Sequence, residues 1–327
     1  MTYNLSIVVN QLSIKSFQKR IDDFKETEFY LRKLDNNNCL VSVKKSNDNY
    51  EYKLHNGLLI LKNRIGSKSK YGVIYLTTNK FNKTSFATKL TIMDDDNYKE
   101  ILIAIHLSKI SMRNLSPHFL FVYKTFYCVD NIDKNVPSII KKDNYYISVN
   151  ELINGNLKQF LDLNLSFNFI FNALQQILIA ILSFHYFTNG TYHHDCHYKN
   201  FLFIKIKSGG YFHYNLFGTD YYIKNMGYLW LIWDFGLAQD EPIYKLQRIK
   251  DYFRIIYFFD SSLSSSNKII MDLAKYILSY EYNYQYYFGS SDMKFFQEIV
   301  FKKNLLKTNI SKSSKKINKI PYIINDF

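Results

Sequence analysis

The chain has 327 residues, too many for one small core and about right for two packed units at roughly 100 to 200 residues each. Hydrophobic residues make up 47% and aromatic residues 18%, so a packed core is well supplied. The net charge of +14 is spread along the chain, with one denser lysine run at 302–319, and so gives a diffuse cationic surface instead of the clustered basic and aromatic face of a nucleic-acid binder.

Three cysteines, Cys39, Cys128 and Cys196, stand far apart with no CxxC spacing. They imply a reducing intracellular compartment, with neither a zinc knuckle nor a disulfide framework. The first twenty residues lack the basic and then apolar pattern of a signal peptide.

Residues 1–50 carry no readable motif and are taken as an N-terminal extension of unknown role. Alternating β-formers then predict strands at Gly57–Lys62, Tyr71–Thr77 and Ser85–Ile92. Asp96–Lys109 reads as a helix with an apolar side of Tyr98, Ile101, Leu102, Ile105 and Leu107. Further strands are expected at Phe119–Tyr127 and Tyr145–Asn150. From Ser166, a candidate N-cap, apolar residues recur at three and four through Ile181, which predicts a long buried helix. Its Asn168, Asn172, Gln175 and Gln176 argue against a membrane span. A polar loop, Gly190–Asn200, separates this helix from strands at Phe201–Ile206 and Tyr228–Trp233.

Four features could serve ATP-dependent phosphoryl transfer, which needs cradled phosphates, oxygen ligands for Mg²⁺ and a base for the attacking hydroxyl. Gly66, Ser67, Ser69 and Gly72 lie in a glycine-containing strand turn, where backbone N–H groups can approach phosphate. Lys89 closes a strand and Glu100 lies on the next helix, a candidate ion pair. Taken singly, Lys89 is one of 36 lysines, the remaining six of 42 basic residues being arginine. His193-His194-Asp195-Cys196-His197-Tyr198-Lys199-Asn200 places an amide five residues after an aspartate. Its three histidines do not have the HExxH spacing of a zinc hydrolase. Asp234-Phe235-Gly236 sets an aspartate at the end of an apolar strand.

In this order the features match the protein-kinase signature set. The chain resembles a divergent serine/threonine protein kinase from about Asn56 to Phe259. The resemblance implies an α+β, two-lobed protein-kinase-like fold: a strand-rich N-lobe with one main helix over 51–150, and a mainly helical C-lobe over 151–327. An insertion near 207–227 and a lysine-rich tail complete the second lobe. The insertion resembles one in kinase-like proteins of large nucleocytoplasmic DNA viruses, and the lysine- and asparagine-rich, arginine-poor composition agrees with an AT-rich genome.

By the same resemblance Asp195 is the catalytic base, and Asn200 and Asp234 bind Mg²⁺. Lys89 holds the ATP phosphates and Glu100 orients it. Gly66, Ser67, Ser69 and Gly72 form the lid. Glu151, Leu152 and Ile153 meet adenine, and Asp251 braces the catalytic loop. The implied cofactors are ATP and Mg²⁺ and the implied partner is a protein substrate, in the host cytoplasm or in a virion.

The sequence departs from the pattern at Ser69, which stands near the usual middle glycine, and at His194, which replaces the usual arginine. His197 stands where a lysine is usual, as in aminoglycoside and choline phosphotransferases, and no Ala-Pro-Glu follows Asp234. A small-molecule phosphotransferase and a pseudokinase scaffold therefore stay open as alternatives.

Overall fold

The structure is a computed structural model. It describes residues 14–46, 49–65, 72–81, 84–130, 133, 135, 144–240, 248–262, 268–283, 287–289, 291–311 and 313–325. The chain divides into two compact units. The first takes in Gln18–Met112 and Leu120–Asn154; the second takes in Ile14–Phe17, Arg113–Phe119 and Gly155–Phe327.

The first unit is built on a seven-stranded antiparallel sheet in the order β1-β2-β3-β4-β5-β7-β6. Its strands are β1 Val41–Ser46, β2 Asn49–Leu54, β3 Leu59–Ile65, β4 Gly72–Asn79, β5 Ser85–Ile92, β6 Val122–Cys128 and β7 Tyr145–Glu151. The expected strand at Gly57 starts later because Gly57 takes φ 83 in a tight turn before Leu59. Of the stretch read as an extension, residues 18–46 and 49–50 belong to this unit: they carry helix α1 (Phe17–Leu31) after its first residue, strand β1 and the start of β2.

The first unit also corrects the cysteine reading. Cys39 and Cys128 form a disulfide with a Cα separation of 4.7 Å. They are 89 residues apart in sequence, but Asn37 bridges Tyr127 in parallel, which brings the lead-in to β1 against β6 at the far edge of the sheet order.

Helix α2 spans Asp95–Met112, but of the apolar stripe expected from the sequence only Leu107 is buried. Tyr98 and Leu102 are half exposed, and Asn97, Glu100, Ala104, Leu107, Ser108 and Ser111 turn inward at helical spacing. The polar members of this face have assigned partners. Asn97 Nδ2 donates to Ile92 O at 3.1 Å, and Ser108 Oγ accepts from Val122 N at 3.0 Å.

The second unit centres on helix α4 (Phe167–Phe187), which follows the short helix α3 (Leu157–Leu161). Ile170, Leu174, Ile177, Leu178 and Ile181 are buried, as the period predicts, while Phe167 and Phe171 of the same stripe are half-buried. The helix is apolar and long enough to cross a membrane by composition, and its most apolar window is 72% buried inside the fold. Its polar residues pair with strand backbone: Asn172 Nδ2 donates to Lys224 O at 2.9 Å, and Gln176 bonds Tyr228 O and Trp230 N. Ser166 occupies the N-cap position, but its side chain makes no capping bond.

Strands β8 (Gly155–Asn156), β9 (Phe201–Lys205) and β12 (Tyr228–Ile232) form a small sheet ordered β12-β9-β8. The predicted insertion is a hairpin of β10 (Tyr211–Leu216) and β11 (Thr219–Lys224), and β13 (Tyr322–Ile324) adds to it in parallel. The lysine-rich tail thus docks on the insertion: Ile317 N donates to Tyr211 O, and His213 N to Asn318 Oδ1. Helices α5 (Arg248–Ser262) and α6 (Lys268–Leu278) follow, and then α7 (Asp292–Phe295), which runs on into a π-helical turn at Phe296–Phe301.

Candidate active site

In the first unit, strand alternation buries Phe86, Thr88 and Leu90 on one face of β5 and turns Lys89 to the other. Lys89 Nζ meets Glu100 Oε1 at 2.5 Å, with side-chain exposures of 13% and 7%. The polar inner face of α2 is what delivers Glu100 to β5. An ammonium held this way is fixed in place, as a phosphate-binding cation requires.

Gly72 opens β4 opposite Thr91. A Cβ there would sit 2.8 Å from Leu90 O and 2.9 Å from Thr91 Cγ2. The glycine is needed because the two backbones approach closely beside Lys89. Gly66, Ser67 and Ser69 lie outside the described residues.

Glu151 closes β7. Its N–H donates to Phe121 O at 2.9 Å. Its carboxylate accepts two bonds from Arg20, at 2.7 and 2.8 Å. Ile153 is half-buried in the segment that follows β7.

In the second unit, the loop before β9 is held from several sides. His193 is fully buried, and burial pushes its pKa down, so the ring is neutral. Its Nε2–H donates to Trp233 O at 2.9 Å and its Nδ1 accepts from Asp195 N at 3.3 Å. This ring therefore ties Asp195 to the end of β12. Asn200, 4% exposed, donates through Nδ2 to Asp195 O at 2.9 Å and to Asp195 Oδ2 at 3.0 Å. Asn200 O accepts from Trp233 N at 3.0 Å, which sets Asn200 next to the residue preceding Asp234. His194 and Asp234 both take left-handed backbone, with φ 64 and 66. Such strain costs about 1–3 kcal/mol per residue and concentrates at functional sites. Phe235 anchors the turn, stacked on Phe184 at 5.3 Å.

Asp251 is the brace the sequence suggests. It is 1% exposed and accepts His193 N at 2.6 Å and His194 N at 3.0 Å. It also meets His185 Nε2 at 3.1 Å. Behind it lies a group that sequence reasoning missed. His185 Nδ1 reaches Asp292 Oδ1 at 2.8 Å, and Asp292 accepts from Tyr252 OH at 2.7 Å, with Arg248 Nη1 at 3.9 Å. Burial alone would lower the His185 pKa, but the charges and hydrogen bonds of Asp292 and Asp251 outweigh it and hold it up at about 9. His185 is thus an imidazolium between two carboxylates. Cys196, the free thiol, is fully buried, and burial and then Asp251 push its pKa well up. It is not a nucleophile.

The raised His185 pKa carries a stability prediction. An unfolded histidine titrates near 6.5. The contribution is therefore complete below about pH 6.5 and is lost as pH rises through about 9. The shift is worth about 3 kcal/mol. Denaturant midpoints measured from pH 6 to 10 should fall across that window in the wild type and stay flatter in His185→Gln. A wild-type profile with no decline there contradicts the buried imidazolium.

The residues present fit Mg²⁺ and a nucleoside triphosphate. Mg²⁺ takes hard oxygen ligands, and Asn200 and Asp234, whose backbones lie side by side, would supply them. The amide nitrogen of Asn200 is committed to Asp195, which leaves its Oδ1 on the opposite side. Among the described residues, no group of three or more His, Cys, Asp and Glu is placed to hold a metal ion together.

No family model matches the chain, and no curated protein matches it. Among solved structures it is similar to the BubR1 kinase domain, with 19% identity and a TM-score of 0.43 over 69% of this chain. The match spans 62% of that domain, less than two thirds of its length. A likeness this slight carries no argument. The kinase-like fold rests on the order of elements: a sheet strand with Lys89, a helix with Glu100, then a helix-rich unit whose loop and strand ends hold Asp195, Asn200 and Asp234.

Proposed function

We propose that the protein is a phosphotransferase that moves the γ-phosphoryl group of ATP to a hydroxyl, and that its acceptors are serine and threonine side chains of proteins. The observation that carries this reading is the Asp195–Asn200 hydrogen-bond pair inside a loop braced by Asp251. The formed Lys89–Glu100 pair supports it.

Asp195, at 31% side-chain exposure, keeps its carboxylate open enough to receive the proton of an attacking hydroxyl. Asn200 orients that carboxylate. Asn200 Oδ1 and Asp234 would hold the metal, and Lys89, fixed by Glu100, would hold the phosphates. Bound Mg-ATP supplies the transferable phosphoryl group and the cation that offsets charge on its oxygens.

His197 favours a second reading, a small-molecule phosphotransferase. Its Nε2 lies 3.5 Å from Asp195 Oδ2, where a lysine is usual in protein kinases. Acceptor profiling with Mg-ATP separates the two. Phosphate on protein serine or threonine supports the first reading. Phosphate on free hydroxyl metabolites with no protein labelled supports the second. Absence of thermal stabilisation by saturating Mg-ATP would sink both and leave a scaffold.

A further inference from the structure

Arg20 is one of only six arginines in a chain that otherwise uses lysine. It is 5% exposed, and its partner Glu151 stands 131 residues away. Nε donates to Oε1 at 2.7 Å and Nη2 to Oε2 at 2.8 Å, a two-pronged bond that a lysine ammonium cannot reproduce. The guanidinium carbon also lies 4.1 Å from the centre of the Phe121 ring. Phe24, one turn further along α1, stacks on the same ring at 4.3 Å. Phe121 N in turn donates to Glu151 Oε2 at 3.4 Å. Helix α1, the lead-in to β6 and the last residue of β7 are therefore one locked cluster within the first unit.

Glu151 is the last residue of β7 paired to β5, opposite Phe86. Leu152, Ile153 and Asn154 leave the sheet directly after it. The path of that segment is set by how firmly Glu151 is held. We propose that Arg20 is a positioning residue for the nucleotide: through Glu151 it fixes the segment 152–154, which the kinase resemblance assigns to adenine, and α1 thereby supports the nucleotide site. This inference rests on the ATP-dependent reading above. A cation buried with its fork on one carboxylate, and shielded by the Phe121 ring, restrains Glu151 far more than a surface pair would.

The test uses the full chain as wild type, Arg20→Lys, Arg20→Ala and the double variant Arg20→Ala/Glu151→Gln. Mg-ATP affinity is read by displacement of a fluorescent ATP analogue. KM for ATP and kcat are read separately, with a melting curve for each variant. Arg20→Ala should weaken Mg-ATP binding and raise KM by about tenfold with kcat within about twofold of wild type. Arg20→Lys should fall between, and the double variant should recover melting temperature, because no unpaired carboxylate stays buried, but not Mg-ATP affinity, because the tie to Glu151 is still absent. If Arg20→Ala does not fold, the Arg20→Lys comparison decides. Folded variants with wild-type affinity and KM overturn the proposal. So does a fall in kcat and melting temperature with no separate change in KM, which marks a purely structural pair. A wild-type protein that binds no Mg-ATP instead overturns the functional reading itself.

Discussion

Asp195→Asn should lower kcat by about 10²–10⁴-fold and leave the fold intact. The variant keeps the backbone carbonyl that accepts Asn200 Nδ2 at 2.9 Å and the N–H that donates to His193 Nδ1 at 3.3 Å. It also keeps a side-chain oxygen for the second Asn200 bond, 3.0 Å in the wild type. What it lacks is the charge that accepts a proton from the attacking hydroxyl. Steady-state kinetics with circular dichroism measures both halves. Turnover near the wild-type value would show that Asp195 is not the base.

Asp251→Ala should cost the most stability of any single change in the second unit. Three donors lose their acceptor together: His193 N, His194 N and the His185 imidazolium. Removing one partner of a buried ion pair typically costs about 3–5 kcal/mol. For a chain of this size the melting temperature should fall by about 10 °C. Turnover should fall as well, because the two amides released flank the base. Asp251→Asn should be milder on the amides, since it keeps one oxygen acceptor, yet it still removes a charge from His185. A melting curve for Asp251→Ala that overlays wild type would contradict the brace.

The parts of the site legible in the sequence are those whose chemistry is set by short spacing. Asp195 and Asn200 are five residues apart, and the two bonds between them lie within the loop, which Asp251 and Trp233 then hold from distant chain. Asp234 follows an apolar strand directly, so its place at a strand end could be read from pattern. The long helix at Phe167–Phe187 was legible for the same reason, as its apolar residues repeat with one period. Helix α2 shows where this fails. Apolar periodicity pointed to Tyr98 and Leu102, but the buried face carries Asn97, Glu100, Ser108 and Ser111 because sheet backbone and Lys89 supply polar partners there. Pattern reading treats such residues as solvent-facing.

The features that stayed hidden depend on contacts distant in sequence. Arg20 and Glu151 are 131 residues apart, His185 and Asp292 are 107 apart, and Cys39 and Cys128 are 89 apart. No local periodicity encodes such pairs. One signal was available: arginine is rare in this chain, and two of the six, Arg20 and Arg248, are buried beside carboxylates. Where lysine is the default cation, a retained arginine points to bidentate or stacked bonding. Strands β1 and β2 were unreadable for another reason: they are short and polar and gain order from the rest of the sheet.

The central claim is metal-dependent phosphoryl transfer, and one measurement meets it directly. Purified protein is incubated with γ-labelled ATP, Mg²⁺ and a mixture of basic and acidic proteins, beside the Asp234→Ala variant. The expected result is label on protein serine or threonine in the wild type and none in the variant. Equal label in wild type and variant, or no transfer to any hydroxyl acceptor by the wild type, would contradict the account.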